Sequence, residues 1–196
     1  MVPEREGDHS AKRRIRKELG RVRTALPSDT GQYLSAIACE RVASTDGFRH
    51  AQHVAAYVAL RGEPDPAGLV RLALDAGKQV YLPGDAGGAP CFRRADLDGR
   101  STERGAPLPA GADATVVVVP GVAFDADGWR LGRGGGFYDR LLRDHPGSLR
   151  VGFAFDFQIV PHVPRAEWDV RMTAIVTEAR EIWAEPSRRT CPWGSA

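Results

Sequence analysis

Apolar residues recur through the first part of the chain at helical spacing. Ile15, Leu19, Val22 and Leu26 fall three or four residues apart, which places them on one helix face and leaves the intervening arginines in solvent. Ser10 suits the N-cap of this helix and Pro27 ends it. Ser28 or Asp29 then caps a second helix, which carries Leu34, Ile37, Ala38 and Val42 to Ser44. The run from His53 to Leu60 is short and nearly continuously apolar, and it reads as a strand. After the break Arg61-Gly62-Glu63-Pro64, a helical stretch covers Pro66 to Ala76, and Gln79 to Pro83 restarts a strand. Strand, helix and strand in this order form a βαβ unit, which implies a parallel pair with a right-handed crossover.

Residues 84 to 114 are rich in Gly, Pro, Asp and Arg around a short strand at Cys91 to Arg94, and they read as mostly loop. The valine run from Thr115 to Val119 favours a pleated backbone buried on both faces, and it stops at Pro120-Gly121. A glycine-rich segment follows, then a helix from Phe137 to Arg143, a strand from Arg150 to Phe155, and strands at Thr173 to Thr177 and Glu181 to Trp183. The tail from 186 to 196 is polar and rich in breakers, so it is expected to be loosely held, with one domain over 1 to 185.

Composition narrows the function class. A net charge of +2 lacks the strong basic excess of a dedicated nucleic-acid binder, so a small diffusible substrate is the better expectation. The arginine-rich first helix, with seven basic residues and one acid between 12 and 23, is the feature that argues the other way. Cys39, Cys91 and Cys191 are an odd, widely spaced set with no CxxC pair, which suggests a reducing compartment and no structural zinc. The first twenty residues lack the apolar core of a signal peptide, and the longest apolar run is too short to span a bilayer. A cytoplasmic monomer without membrane or nucleic-acid partners is expected.

The chemistry concentrates between 130 and 139. Gly132, Gly134, Gly135 and Gly136 let the backbone approach a ligand, and their amides can converge on an anion beside the N-terminus of the following helix. Arg130 and Arg133 add donors suited to phosphate oxygens, and Asp139 in the first helical turn offers a carboxylate to a nucleotide's Mg²⁺. The bland alternative is a surface loop with Asp139 complementing the helix dipole. No Gly-Lys-Ser/Thr is present, so this is not a Walker P-loop, and eleven residues separate Pro120 from Gly132, whereas a dinucleotide fingerprint turns directly out of its strand. Asp125-Ala126-Asp127-Gly128 begins like a calcium loop but lacks the later ligands and more simply makes a turn.

The stretch Val119-Pro120-Gly121-Val122-Ala123-Phe124-Asp125, then Gly128 and Arg130-Leu131-Gly132-Arg133-Gly134-Gly135-Gly136-Phe137-Tyr138-Asp139-Arg140, closely resembles the signature of 5-formyltetrahydrofolate cyclo-ligases, also called methenyltetrahydrofolate synthetases. The resemblance extends to Lys12-Arg13-Arg14-Ile15-Arg16, to Tyr57 and Glu63, to Val80-Tyr81-Leu82-Pro83, and to Val163-Pro164-Arg165-Ala166-Glu167-Trp168-Asp169. With the elements above it implies an α/β, single-domain three-layer α/β/α fold with a mainly parallel central sheet, Rossmann-like but without the dinucleotide fingerprint.

The resemblance also implies roles. Lys12, Arg13, Arg14, Ile15 and Arg16, together with Arg130, Leu131, Gly132, Arg133, Gly134, Gly135, Gly136, Phe137 and Tyr138, would bind ATP. Val58, Glu63, Trp168 and the segment Arg133 to Phe137 would contact the folate, and Asp139 and Asp169 would hold Mg²⁺. Arg133 and Asp139 would be catalytic. For Glu63 the residues alone leave a second reading, a cap on the helix after Pro64. Phe137 and Trp168 depart from the Tyr and His that many members carry. The implied reaction is ATP- and Mg²⁺-dependent closure of 5-formyltetrahydrofolate to 5,10-methenyltetrahydrofolate, with ADP and phosphate released. A related enzyme acting on another formylated or pterin-like compound stays open.

Overall fold

The computed structural model describes residues 6–96, 105–109, 111 and 114–184. The expected loose tail and Cys191 lie outside them. Helix α1 spans Glu6–Ala25 and α2 spans Ser28–Ser44, followed by the short α3 at Asp46–His50. The first helix starts earlier than its apolar pattern suggests, so Ser10 is an interior residue and not a cap. The α2 N-cap position is Pro27, with Ser28 and Asp29 already inside the helix. Thr45 caps α3 by accepting from the Phe48 amide at 3.2 Å, a helix too short for periodicity to show.

The βαβ unit forms as expected, from β1 (His53–Ala55), α4 (Ala67–Asp75) and β2 (Gln79–Ala86). β1 and β2 pair in parallel with Val54 opposite Val80. Strand β1 is much shorter than its apolar run, because after Ala56 the chain leaves the sheet for the turn at 60–63. Residues 84–94 are not mostly loop: β2 continues to Ala86 and returns as antiparallel β3 (Ala89–Arg94). Gly87 and Gly88 both have positive φ, 67° and 92°, the geometry of a tight hairpin turn, and Asp85 Oδ1 accepts the Gly88 amide at 2.7 Å.

The valine run forms β4 (Thr115–Pro120), which pairs in parallel with β1 on one side and with β7 (Leu149–Phe153) on the other. β8 (Ala174–Val176) continues the parallel set and β9 (Glu181–Trp183) closes the edge antiparallel. The seven-stranded sheet has the order β3-β2-β1-β4-β7-β8-β9. A separate hairpin, β5 (Ala123–Phe124) with β6 (Arg130–Leu131), leads into α5 (Phe137–Arg143). Its bend is the Asp125–Gly128 segment, and the Asp125 carboxylate accepts from the amides of Trp129 (3.0 Å) and Val163 (2.8 Å), so it organises a turn.

Alternation along β4 separates two cores. Val116 and Val118 join α2, α3 and α4 through Val42, Phe48, Leu69 and Ala73 on one face. Val117 and Val119 join Phe124, Leu141, Leu142 and Ile175 on the other. Helices on both faces of a mainly parallel sheet make the three-layer α/β/α arrangement. Helix α1 lies outside this sandwich: Ile15 and Leu19 pack on Leu131, Ala123 and Val163, while Val22 is 47% exposed, so its apolar face is narrower than its spacing suggests. Among the described residues no helix is long and apolar enough to cross a membrane.

Phe124 ties the hairpin to the sheet and leaves no room beside it. A Cβ on Gly152 of β7 would sit 2.6 Å from Phe124 Cε1 and 3.3 Å from Ile175 Cγ1. Gly152→Ala is therefore expected to destabilise by about 1–3 kcal/mol through overpacking. Gly147→Ala, which meets no atom within 4 Å, should change stability by less than about 0.5 kcal/mol. Urea unfolding of the two variants checks this; equal midpoints would contradict it.

Candidate functional site

β1 and β2 run to one side of the sheet, and the chain then crosses to lay β4 on the other side of β1. Such a switch in strand order opens a crevice at the carboxyl ends of the strands. Tyr57 and Val58 beyond β1, Pro83 in β2, and Pro120 and Gly121 at the end of β4 line a cleft of about 640 Å³ there. The glycine-rich loop and α1 form its other walls. That volume suits a ligand of cofactor size.

The glycine-rich loop is built by a buried ion pair. Arg130 Nη2 donates to both oxygens of Asp139 at 3.0 Å, joining the end of β6 to the first turn of α5. Asp139 Oδ1 also accepts from the Val170 amide at 3.2 Å, and the Arg130 guanidinium lies 5.7 Å from the centre of the Tyr138 ring. Gly132 is required by this closeness, since a Cβ there would meet Arg130 Nη1 at 2.7 Å. Gly134 and Gly136 take φ of 115° and 60°, which only glycine adopts freely. Sequence assigns Arg130 to phosphate; its Nη2 is committed to Asp139, and its Nε is buried without a hydrogen-bond partner.

Helix α1 lays a cationic stripe along the cleft. Lys12 Nζ lies 3.9 Å from Asp169 Oδ2, and Arg16 Nε donates to the Gly132 carbonyl at 3.0 Å. Asp169 is held by its own turn, accepting from the Ala166 amide at 2.8 Å. Of the run 12–16, only Lys12 and Arg16 line the cleft: Arg13 and Arg14 are exposed elsewhere, and Ile15 packs against the β5–β6 hairpin. Arg130 to Asp139 line it throughout.

The opposite end is shaped by a tight turn. The Glu63 amide donates to the Leu60 carbonyl at 2.9 Å with Gly62 at φ 76°, and Glu63 Oε2 accepts from the Leu60 amide at 2.9 Å. The other oxygen, Oε1, accepts from Arg133 Nη2 at 2.6 Å and Nε at 3.1 Å, across the cleft from a residue seventy positions away. Glu63 therefore does not cap α4, whose N-cap position is Pro66; just before it the Asp65 Oδ1 accepts the Ala67 amide at 3.0 Å. Tyr57 donates its hydroxyl to the Pro64 carbonyl at 2.5 Å. Burial above all, then the neighbouring Glu63 charge, pushes the Tyr57 phenol well up. Burial raises Tyr138 too, against the opposing pull of Arg130, so both phenols stay neutral donors near pH 7. Val58 and Trp168 leave apolar surface at the rim, with Trp168 48% exposed.

Sequence reasoning missed Arg23 in this site, although it stands eleven residues after Lys12, three helical turns along the same face. It also left out Tyr57, Pro83, Pro120 and Gly121 as cleft residues, and these follow from the strand order rather than from any local pattern. Among the described residues no group of three or more His, Cys, Asp or Glu side chains gathers as a metal centre.

Comparison with known proteins agrees with this architecture. The pattern describing the 5-formyltetrahydrofolate cyclo-ligase family matches residues 8–178. A 5-formyltetrahydrofolate cyclo-ligase of Escherichia coli K12 is 33% identical over 182 residues, covering 82% of this chain and 96% of that protein. One from Mycolicibacterium smegmatis is 35% identical over 147 residues, 67% of this chain and 76% of its own. The solution structure of the Aquifex aeolicus 5,10-methenyltetrahydrofolate synthetase superposes with a TM-score of 0.77 at 30% identity, over 91% of this chain and 95% of that one. A Mycoplasma pneumoniae 5,10-methenyltetrahydrofolate synthetase, 22% identical, shares the fold with a TM-score of 0.70. By sequence pattern and by fold alike, the chain belongs to the 5-formyltetrahydrofolate cyclo-ligase family.

Proposed function

We propose that the protein closes 5-formyltetrahydrofolate to 5,10-methenyltetrahydrofolate at the expense of ATP. The observation that carries this reading is that the glycine-rich loop and the cations Lys12 and Arg16 of α1 line the same cleft as Glu63, Tyr57 and Trp168. A nucleotide's phosphates and a reduced pterin would share that space.

The chemistry explains why both are needed. An N-formyl group is a stabilised amide, and its oxygen is a poor leaving group toward the neighbouring amine. Attack of the formyl oxygen on the γ-phosphorus expels ADP and converts that oxygen into a phosphate ester. The bridge nitrogen then adds to the activated carbon and loses its proton, and the C–O bond breaks to release phosphate. No protein nucleophile is required. The enzyme has to place the formyl oxygen in line with the γ-phosphorus and offset charge on the transferring group.

Lys12, Arg16, Arg133 and the loop amides would orient the phosphates. Glu63 would accept N–H groups of the pterin, and its burial makes such donors necessary to it. Trp168 and Val58 would cover the ring system. Asp139 and Asp169 suit Mg²⁺, which is usually held by one or two carboxylates together with substrate phosphates and water. Each already has a fixed orientation, Asp139 through Arg130 and Asp169 through the Ala166 amide. The cation would supply charge neutralisation at the phosphates.

Mixing the protein with 5-formyltetrahydrofolate, Mg²⁺ and ATP should produce the near-ultraviolet absorbance of the methenyl product, and the signal should vanish when ATP is omitted or the cation chelated. Absence of any ATP-dependent signal would defeat the reading.

Asp139→Asn is expected to lower turnover by about 10²-fold or more. The pairing with Arg130 adds a second consequence: weakening a buried ion pair costs stability as well, up to about 3–5 kcal/mol. Assays run well below the unfolding midpoint separate the two effects, and full activity in folded Asp139→Asn would contradict the assignment.

A further inference from the structure

Glu63 carries two guanidinium groups on one oxygen, and they differ in kind. Arg133 is the nearer, at 2.6 Å, but its side chain is 53% exposed and springs from the glycine-rich loop. Arg23 is farther, at 3.9 Å, but its side chain is only 14% exposed and belongs to the twenty-residue helix α1. The Glu63 side chain is 6% exposed. The α1 backbone abuts the turn that carries Glu63: a Cβ on Gly62 would lie 3.1 Å from the Arg23 carbonyl oxygen. One cation is thus on an exposed side chain and the other belongs to the element that seats the turn.

The two demands on Arg133 conflict. Phosphate orientation needs its guanidinium at the nucleotide end, whereas here it is spent on Glu63. When it turns to phosphate, a nearly buried carboxylate loses its closest cation, which is costly unless another remains. Arg23 remains. Burial lowers the Arg23 pKa, Glu63 raises it and Arg133 lowers it, as expected of two cations crowded on one acid, and that repulsion favours the departure of the freer one.

We propose that Arg23 is a positioning residue for folate recognition: it holds Glu63 aimed into the cleft while Arg133 passes from Glu63 to the phosphates. This rests on the cyclo-ligase reading above. The pterin N–H groups would then replace Arg133 at Oε1, and folate and nucleotide binding would favour each other through this exchange.

Steady-state kinetics of purified variants test it. Arg23→Met should raise the KM for 5-formyltetrahydrofolate about tenfold and the KM for ATP by a smaller factor, since Arg133 then leaves Glu63 less readily, and Arg23→Lys should restore most of both losses by keeping the charge. In a Glu63→Gln background, Arg23→Met should add less than about twofold, because the residue acts through that carboxylate. An unchanged KM for 5-formyltetrahydrofolate, no rescue by lysine, or additive losses in the double variant would each overturn the proposal and leave Arg23 as packing. If Arg23→Met does not fold, Arg23→Gln, alone and in the Glu63→Gln background, gives the same comparison. Wild-type protein without ATP-dependent product overturns the function reading and this inference together; active wild-type protein with an unaltered Arg23→Met overturns the inference alone.

Discussion

The buried pair between Arg130 and Asp139 is the constraint on which the site's geometry depends. Removing both charges from water is expensive, and the cost is offset by the hydrogen bonds to the carboxylate: Nη2 bonds both oxygens at 3.0 Å and the Val170 amide supplies another donor. The pair ties the end of β6 to the first turn of α5, so the five residues between them must close in a short loop. Glycine at 132 follows from the proximity of the guanidinium, and glycine at 134 and 136 from positive φ. What reads in sequence as a flexible stretch is a loop whose ends are clamped.

The clamp also sets what Asp139 can do. Its carboxylate is held by Arg130 and lines a cleft that Asp169 and Lys12 share. A group held in this way loses little freedom when a cation or phosphate arrives, which is the value of preorganisation in phosphoryl transfer. Asp139 is consequently both a fold-forming residue and a candidate ligand, and the two roles use the same two oxygens.

Helix α1 gives the cleft its length. It contributes little to the main core, yet Lys12, Arg16 and Arg23 reach Asp169, the Gly132 carbonyl and Glu63 in turn. Three partners from distant parts of the chain are thereby spaced by the rise of one helix, about 1.5 Å per residue. The exposure of Val22 follows from this: the face that looks inward is chosen by polar partners as much as by apolar packing.

Local physics made much of this readable in advance. The β4 valines, the α5 start after the glycines, the β1–α4–β2 unit and the Asp125 turn all follow from backbone preferences and from periodicity, which act within a few residues. The two-residue turn at Gly87-Gly88 carried its signal too, but the breaker-rich composition around it disguised a hairpin as loop. The glycine-rich pattern likewise singled out Arg133 and Asp139, and the resemblance to the cyclo-ligase signature added Lys12, Arg16, Glu63 and Asp169; the folded chain brings all six to one cleft. Which atoms they engage was decided only by the tertiary structure: Arg130 pairing with Asp139, Glu63 meeting Arg133 across the cleft, Arg23 standing beside it. Pairings between side chains tens of residues apart depend on how the sheet is ordered and where α1 lies, and no local pattern encodes either.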